Sequence, residues 1–582
     1  MINADDLLEP RKTYARKLKD LHHKNSEDYF DELVKKSGIN VEENKQTIKK
    51  LNSVNEERNK LKSQKNKFAS LKVFLIVLII LFFLGIVIDV IHALYSDTLW
   101  LNIVVGIIML GAAIGFIFLL SKNILKKLKL FNAELETLDK EAAKLLEQAY
   151  MQMNPLNALY GWNICTQISN KSCPLIELDR YFNPRRYEYL HECFGFSEEE
   201  DENISTVFVQ SGSILGNPFL FQKRYIQEMV DKSYTGSIVI TWTTSHYSNG
   251  KWETRHHSQT LTATIYRPAP IYYLDTWLIY GNEAAPNLSF SRKPSNANSM
   301  NEKAINKYVK SQDKVLDKMV EKDIDDKDGN GSQFTRLANT KFEALFHALD
   351  RNNEVEFRLL FTPLAQKNML DLIENKEPYG DDFSFIKKKK INYIKSGHIQ
   401  HFDLTADPKK FVHYDYEFAR NNFTKINDEY FKNIFFDFAP LISIPLYQQH
   451  KPKEYIYKDN YPSNITKFEH EVLANAFNHN QLKHPESTTD TILKARAAYK
   501  EGERDIVNID AHSFKAIPRV EYVSKMGGDG RMHMVPVNYY EYLPLKQTTS
   551  MVAQYESDNS QININNDIIK QRGLLAYLNK AR

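Results

Sequence analysis

The chain carries two long apolar runs with only Ser96, Asp97 and Thr98 between them. The first, VFLIVLIILFFLGIVIDVIHALY, covers Val73 to Tyr95, and the second, LWLNIVVGIIMLGAAIGFIFLL, covers Leu99 to Leu120. Each is about 22 residues long, and a helix needs roughly 20 to cross the hydrocarbon of a bilayer. The pattern predicts a transmembrane helical hairpin over residues 71–121. The competing reading, a buried hairpin, needs a soluble core that holds two such runs in succession, which is rare. Arg58, Lys60, Lys62, Lys65, Lys67 and Lys72 precede the first run, Lys122, Lys126, Lys127 and Lys129 follow the second, and the connecting loop has no basic residue. The positive-inside rule then puts both termini in the cytoplasm of a two-pass plasma-membrane protein.

The rest of the chain has the composition of a folded protein: 42% hydrophobic, 12% aromatic and 26% charged residues. A net charge of +3 over 582 residues implies no bulk polyanion as partner. Neither a basic domain nor an RNP-like aromatic pattern points to nucleic acid. Cys165, Cys173 and Cys193 form no CxxC pair, and so sparse a set suits a reducing compartment. MINADDLLEPRKTYARKLKD is charged throughout and has no apolar segment of the kind a cleaved leader requires.

Helical segments flank the apolar runs. Residues 1–70 read as N-terminal cytoplasmic helices, and in residues 122–153 Ile124, Leu128, Phe131, Leu135, Leu138, Ala142, Leu145 and Ala149 recur in 4-3 spacing, a heptad seam. Leu51, Val54, Leu61 and Phe68 form a poorer seam interrupted by Arg58 and Lys65. The two segments are expected either to pair as a coiled-coil-like antiparallel stalk, or to leave the second as an amphipathic helix on the globular region.

Beyond residue 154 the expected fold class is α+β, since helices and strands do not alternate strictly. The division drawn is a β-rich domain over 154–298, a helix and turn linker over 299–332, and a second α+β region over 333–582. STVFVQSGSILGNPFLF and GSIVITWTTSHY read as strands, Asn249-Gly250 as the turn of a hairpin, and Gly527–Gly530 as the turn of a second. NTKFEALFHALDRNN reads as a helix, EVEFRLLFTP as a strand, PLAQKNMLDLIEN as a helix opening on proline, and DFSFIKKKKINYIKSGHIQHFDL as one or two strands.

Residues 326–331, DKDGNG, imitate the first half of an EF-hand loop. Asp326, Asp328, Asn330 and Gly331 match, but position eight is Gln333 and position twelve is Leu337, which has no oxygen to give. A Gly/Asp/Asn turn without calcium is the expectation.

His246, His256 and His257 cluster at the first hairpin, but neighbours in a strand face opposite ways. His398 and His401, with His413 and Asp415 further on, lack regular metal-ligand spacing. Lys387–Lys390 reads as a solvated strand end or a contact for anionic lipid. Asp89 and His92, one turn apart near the end of the first span, suit interfacial solvation better than a pathway, and Gly111 and Gly115 make a G-x-x-x-G face for close helix contact. SGSILG has its serine out of register for a nucleophile elbow, and GGDGR is a turn rather than a phosphate loop. No catalytic residue is assigned, and no cofactor or metal is expected.

GNPFLFQKRY, YTGSIVITWTT, NTKFEALFHALDRNNEVEFRLLFTPLAQKNMLDLI and GGDGRMHMVPVNYYEY resemble an uncharacterised family of two-pass membrane proteins from mycoplasma-like bacteria and their Gram-positive relatives, with a domain of unknown function after the spans. The resemblance implies two-pass topology in a bacterial plasma membrane and supplies no catalytic residues. The sequence reading is a membrane-anchored scaffold or adaptor with a large cytoplasmic partner-binding region. Its partners would be membrane lipid and either another protein or a second copy. The rivals are a membrane-tethered enzyme with a site assembled from scattered residues, and a transport or channel accessory subunit.

Overall fold

A computed structural model of the chain describes residues 3–93, 99–197, 201–248, 250–325, 334–376, 379–449, 464–556 and 568–579. It is mixed α+β, 49% helical and 30% strand, with two long apolar helices. The chain falls into two compact units, one of residues 27–160 with 408–425, the other of residues 1–26, 161–407 and 426–582.

In the first unit a helix of 53 residues, Val41–Ala93, contains most of the first apolar run, and Leu99–Leu119 holds the second. Both are long and apolar enough to cross a membrane. Their large side chains are exposed nearly all round, from Val73 and Phe74 (both 60%) to Ile107 (64%) and Ile108 (66%). A third helix, Lys126–Asn157, returns along the first. Phe82 meets Phe116 at 5.7 Å, Phe68 meets Phe131 at 5.5 Å and Arg58 meets Asp139 at 3.3 Å. Partner numbers rise as the first helix's numbers fall, so the helices run antiparallel. Ile48, Leu51, Val54, Ala142 and Ala149 make the shared core, with Leu138 and Leu145 against it. All eight positions of the 4-3 series are at least partly buried. The close approaches between the two apolar helices are at Gly85 and Gly106. A Cβ on Gly85 would meet Met109 Sδ at 3.2 Å and one on Gly106 would meet Asp89 Oδ2 at 3.3 Å, whereas Gly111 and Gly115 have nothing within 4 Å.

The second unit is built on two antiparallel sheets. The first has seven strands: β1 (Ile176–Leu178), β2 (Ile204–Ile214), β3 (Asn217–Ser248), β4 (Lys251–Gly281), β5 (Ser289–Arg292), β6 (Phe383–Lys388) and β7 (Ile391–Ser396), in the order β1-β2-β3-β4-β7-β6-β5. The second has five: β8 (Ile492–Glu501), β9 (Arg504–Met526), β10 (Met532–Tyr555), β11 (Ile569–Gln571) and β12 (Leu574–Leu578), in the order β11-β12-β10-β9-β8. The helix Lys467–Asn475 lies between them. Phe468 and Val472 enter the core of the first sheet, and Leu473 and Ala474 that of the second.

Two hairpins run far past their sheets. β3 pairs with β4 from Phe219–Tyr280 out to Ser248–Lys251, although β2 leaves β3 at Ile226. β9 and β10 pair out to Met526–Met532. The extensions pack face to face through Ile240, Leu261, Ala263 and Ile265 on one side and Val535 and Val537 on the other, forming a two-layer arm. Gly236 permits the crossing, since a Cβ there would stand 1.9 Å from the Pro536 carbonyl oxygen.

Two local readings need correction. EVEFRLLFTP is not a strand: Glu354–Leu360 is a helix, because the Asn353 side chain accepts the Glu356 N–H (3.1 Å) and caps it. The lysine run is not wholly solvated: Lys387 is fully buried. The DKDGNG turn lies outside the described residues. Leu337, the position without a ligand oxygen, is buried and donates its N–H to Glu343 Oε2 at 2.6 Å.

A cation-rich candidate binding cleft

Strand alternation sorts the first sheet into two faces. One face carries Phe219, Phe221, Leu278, Ile394, Phe385 and Lys387, all buried. Lys387 Nζ donates to the Ala284 carbonyl at 3.0 Å and sits 5.6 Å from the Tyr447 ring centre; burial pushes its ammonium down to about 7. The opposite face carries Thr206, Gln222, Arg224, Trp277, Ile279, Tyr393 and Lys388, and these floor a cleft of about 1070 Å³. Adjacent residues of one lysine run thus have opposite roles: Lys387 anchors the core and Lys388 lines the cleft.

The walls come from residues 194–197 and 201–204, the start of the Lys467–Asn475 helix, and Lys494–Arg496 of β8. A register shift in β2 between Thr206 and Phe208 fixes one wall. There the Thr206 N–H donates to Glu471 Oε2 (2.7 Å), while Glu471 Oε1 holds Lys494 at 2.6 Å and Lys494 Nζ also donates to the Ile204 carbonyl at 2.8 Å. Burial raises the Glu471 carboxyl above its ordinary value, against the pull of Lys494.

Six cations line the cleft, Arg224, Lys388, Lys389, Lys467, Lys494 and Arg496, against the carboxylates Asp201, Glu202 and Glu471. Some are already neutralised. Arg224 pairs with Asp275 (3.3 Å), Lys494 with Glu471, and Arg496 with Asp510. Lys388 and Lys389 are exposed and have no carboxylate partner among the described residues. Lys388 lies 5.9 Å from the Tyr393 ring centre and Lys467 5.4 Å from that of Phe468. Trp277 and Tyr393 stand edge to face at 6.1 Å, and the Trp277 indole N–H donates to Asp275 Oδ2 at 2.7 Å. Cations set among fixed aromatic faces can hold carboxylates and aromatic side chains together.

The histidines singled out by sequence do not converge. His257 stacks on Trp242 at 5.2 Å, while His256 pairs across from Thr243 on the other face of the hairpin. His398 uses both ring nitrogens, one on Asp382 Oδ2 (2.7 Å) and one on the Asn433 carbonyl (3.1 Å). His413 and Asp415 belong to the other compact unit. Among the described residues no group of three His, Cys, Asp or Glu is placed to hold a metal ion. Cys165 and Cys173 are buried and Cys193 is exposed. Sequence reasoning reached the cleft only at Lys388 and Lys389; the remaining four cations come from three further elements, β3, the Lys467–Asn475 helix and β8. Comparisons with protein families, curated proteins and solved structures find no match for this chain.

Proposed function

We propose that the chain is a membrane-anchored adaptor whose cleft takes an acidic segment of a partner protein. The observation that carries this is the cleft, with six cations drawn from four places in the fold, two of them without a carboxylate partner among the described residues. Its volume lies at the upper end of the roughly 300–1,000 Å³ typical of small-ligand pockets, so there is room for several side chains of an extended segment. Two helices of membrane-crossing length with outward-facing apolar surfaces support an anchor over a buried core. The basic residues on either side of the pair support a hairpin with both termini in the cytoplasm. The antiparallel Val41–Ala93 and Lys126–Asn157 helices support the coiled-coil-like stalk.

The test is calorimetric. A synthetic nonapeptide alternating Asp/Glu with Phe/Tyr is titrated into the full chain in detergent, beside a Lys/Arg peptide of the same aromatic pattern. The acidic peptide should bind and weaken with salt, and the basic one should not bind. Lys388→Glu with Lys389→Glu should cut affinity by about tenfold or more, because exchanging two unpaired cations costs over 1 kcal/mol. Equal affinity for both peptides, or no change in the variant, would rule out an electrostatic cleft.

A further inference from the structure

Three of the four strand edges of the arm are guarded. β4 carries Arg267, Pro268 and Pro270, β9 carries Pro518, Arg519 and Lys525, and β10 carries Pro536, Glu541 and Pro544. Charge and proline are what sheet edges use to refuse an added strand. β3 is different. β2 stops pairing with it at Ile226, the Gln227 N–H donates to the Asn203 carbonyl at 2.8 Å, and beyond that point no strand lies along its second side among the described residues. From Ser233 to Tyr247 it reads SYTGSIVITWTTSHY, without proline, Asp, Glu, Lys or Arg. A long, unguarded edge rich in β-branched and aromatic residues is a template for another strand.

The run complements itself. Two copies laid antiparallel about a two-fold axis at Ile240 set Ser233 opposite Tyr247, and each residue between them opposite its mirror position. Paired residues share a face. On the face that covers the β9–β10 layer, Ile240 meets Ile240 and Ile238 meets Trp242, extending the cluster these residues make with Val535 and Val537. On the outer face Thr235 meets Ser245, Ser237 meets Thr243 and Val239 meets Thr241, with no charge among them. Tyr247 is 58% exposed, Trp252 71% and Tyr266 63%. Within the hairpin Tyr247 pairs with Trp252, and Ser233 with Tyr266. The same two-fold register puts Tyr247 against Ser233 of the second copy, so Trp252, Tyr247 and Tyr266 of the second copy fall in one row with only a serine between them. The lengths also agree. Each tip, at Gly250, comes level with Val230 of the second copy, short of Ile226, where β2 takes the edge. The ladder is then about 15 residues long, with about one backbone hydrogen bond per residue pair, against the roughly ten direct hydrogen bonds of a typical protein interface.

We propose that the chain pairs with a second copy of itself through the free edge of β3, in the register centred on Ile240, joining two hairpins into one sheet of order β4-β3-β3-β4. The interface is isologous, so it closes at two chains. The β4 edges left outside are the ones that carry Arg267, Pro268 and Pro270. None of the residues from Ser233 to Tyr247 lines the cleft, so this pairing and the binding of an acidic segment stand or fall separately.

The test uses the full chain in detergent, with Cys193→Ser as background. Light scattering should give the mass of two chains. Thr235→Cys with Ser245→Cys places two thiols about 34 Å apart along β3 of one chain, but roughly 5 Å apart between paired copies, within disulfide reach. Mild oxidation should link the double variant into a dimer, and either substitution alone should give no link. Val239→Lys with Thr241→Lys, both at exposed outer-face positions, sets like charges opposite each other across the axis and should raise the dimer dissociation constant about tenfold or more. Thr260→Lys with Thr262→Lys, on the neighbouring β4, should leave it unchanged. A parent with the mass of one chain at every concentration would overturn the proposal and leave the edge to a strand of another protein. A dimer unaffected by Val239→Lys with Thr241→Lys would also overturn it, since the contact would then lie elsewhere, and so would a link formed by Thr235→Cys alone, which requires another register.

Discussion

Asp381→Ala should destabilise the sheet-containing unit by about 3–5 kcal/mol, because it leaves a guanidinium buried without its counter-charge. Arg292 and Asp381 are both fully buried and form an ion pair. Asp381 Oδ2 also accepts the N–H groups of Ser295 (2.7 Å) and Ala297 (3.0 Å), and Arg292 donates to the Phe383 carbonyl and lies 4.0 Å from the Phe383 ring centre. Burial depresses the Arg292 guanidinium against the pull of Asp381. Removing the carboxylate loses that pull and strands two backbone donors. Urea unfolding of the full chain in detergent, followed by limited proteolysis, measures the loss. The double variant Arg292→Met with Asp381→Leu removes both charges and should be the more stable of the two. A single variant as stable as the parent would show that the pair is not as dry as its burial indicates.

Leu51→Asp should loosen the paired helices of the other unit by about 3 kcal/mol or more. Leu51 is 4% exposed in the core with Ile48, Val54, Ala142 and Ala149. Burying a leucine contributes roughly 2 kcal/mol, and a carboxylate at that point adds a desolvation cost. Protease should then cut within residues 41–70 and 126–157, while alkaline extraction still leaves the chain in the bilayer. Cutting no faster than in the parent would show that the seam contributes little.

Features written in local composition were legible. The apolar runs announce themselves, and the 4-3 series from Ile124 to Ala149 anticipates which face of its helix is covered. Gly527–Gly530 marks its turn, closed by Gly527 N–H to the Arg531 carbonyl at 2.8 Å. Features that depend on partners distant in sequence were not. EVEFRLL alternates as a strand does, yet Asn353 capping and the burial of Phe357 and Leu360 make it a helix with Val355 and Leu359 outward. Lys387 and Lys388 look alike in sequence, and only the register of β6 against β5 and β7 sends one inward. The cleft needs Arg224, Lys388 and Lys494 brought together from three strands, and no single-sequence pattern encodes that. The length of the arm was likewise hidden, because its inward Ile240, Leu261 and Val535 are explained only by each other.

The most direct test of an anchored protein with its cleft in the cytoplasm is thiol labelling in intact cells. Cys165 and Cys173 are buried, so Cys193→Ser alone removes the reactive background. Single cysteines are placed at Ser96, in the connection between the apolar runs, and at Glu501, exposed at the β8–β9 turn. A membrane-impermeant maleimide should label position 96 in intact cells and position 501 only after permeabilisation. Labelling of 501 and not 96 in intact cells would invert the topology, and equal labelling of both before and after permeabilisation would contradict a membrane-crossing pair.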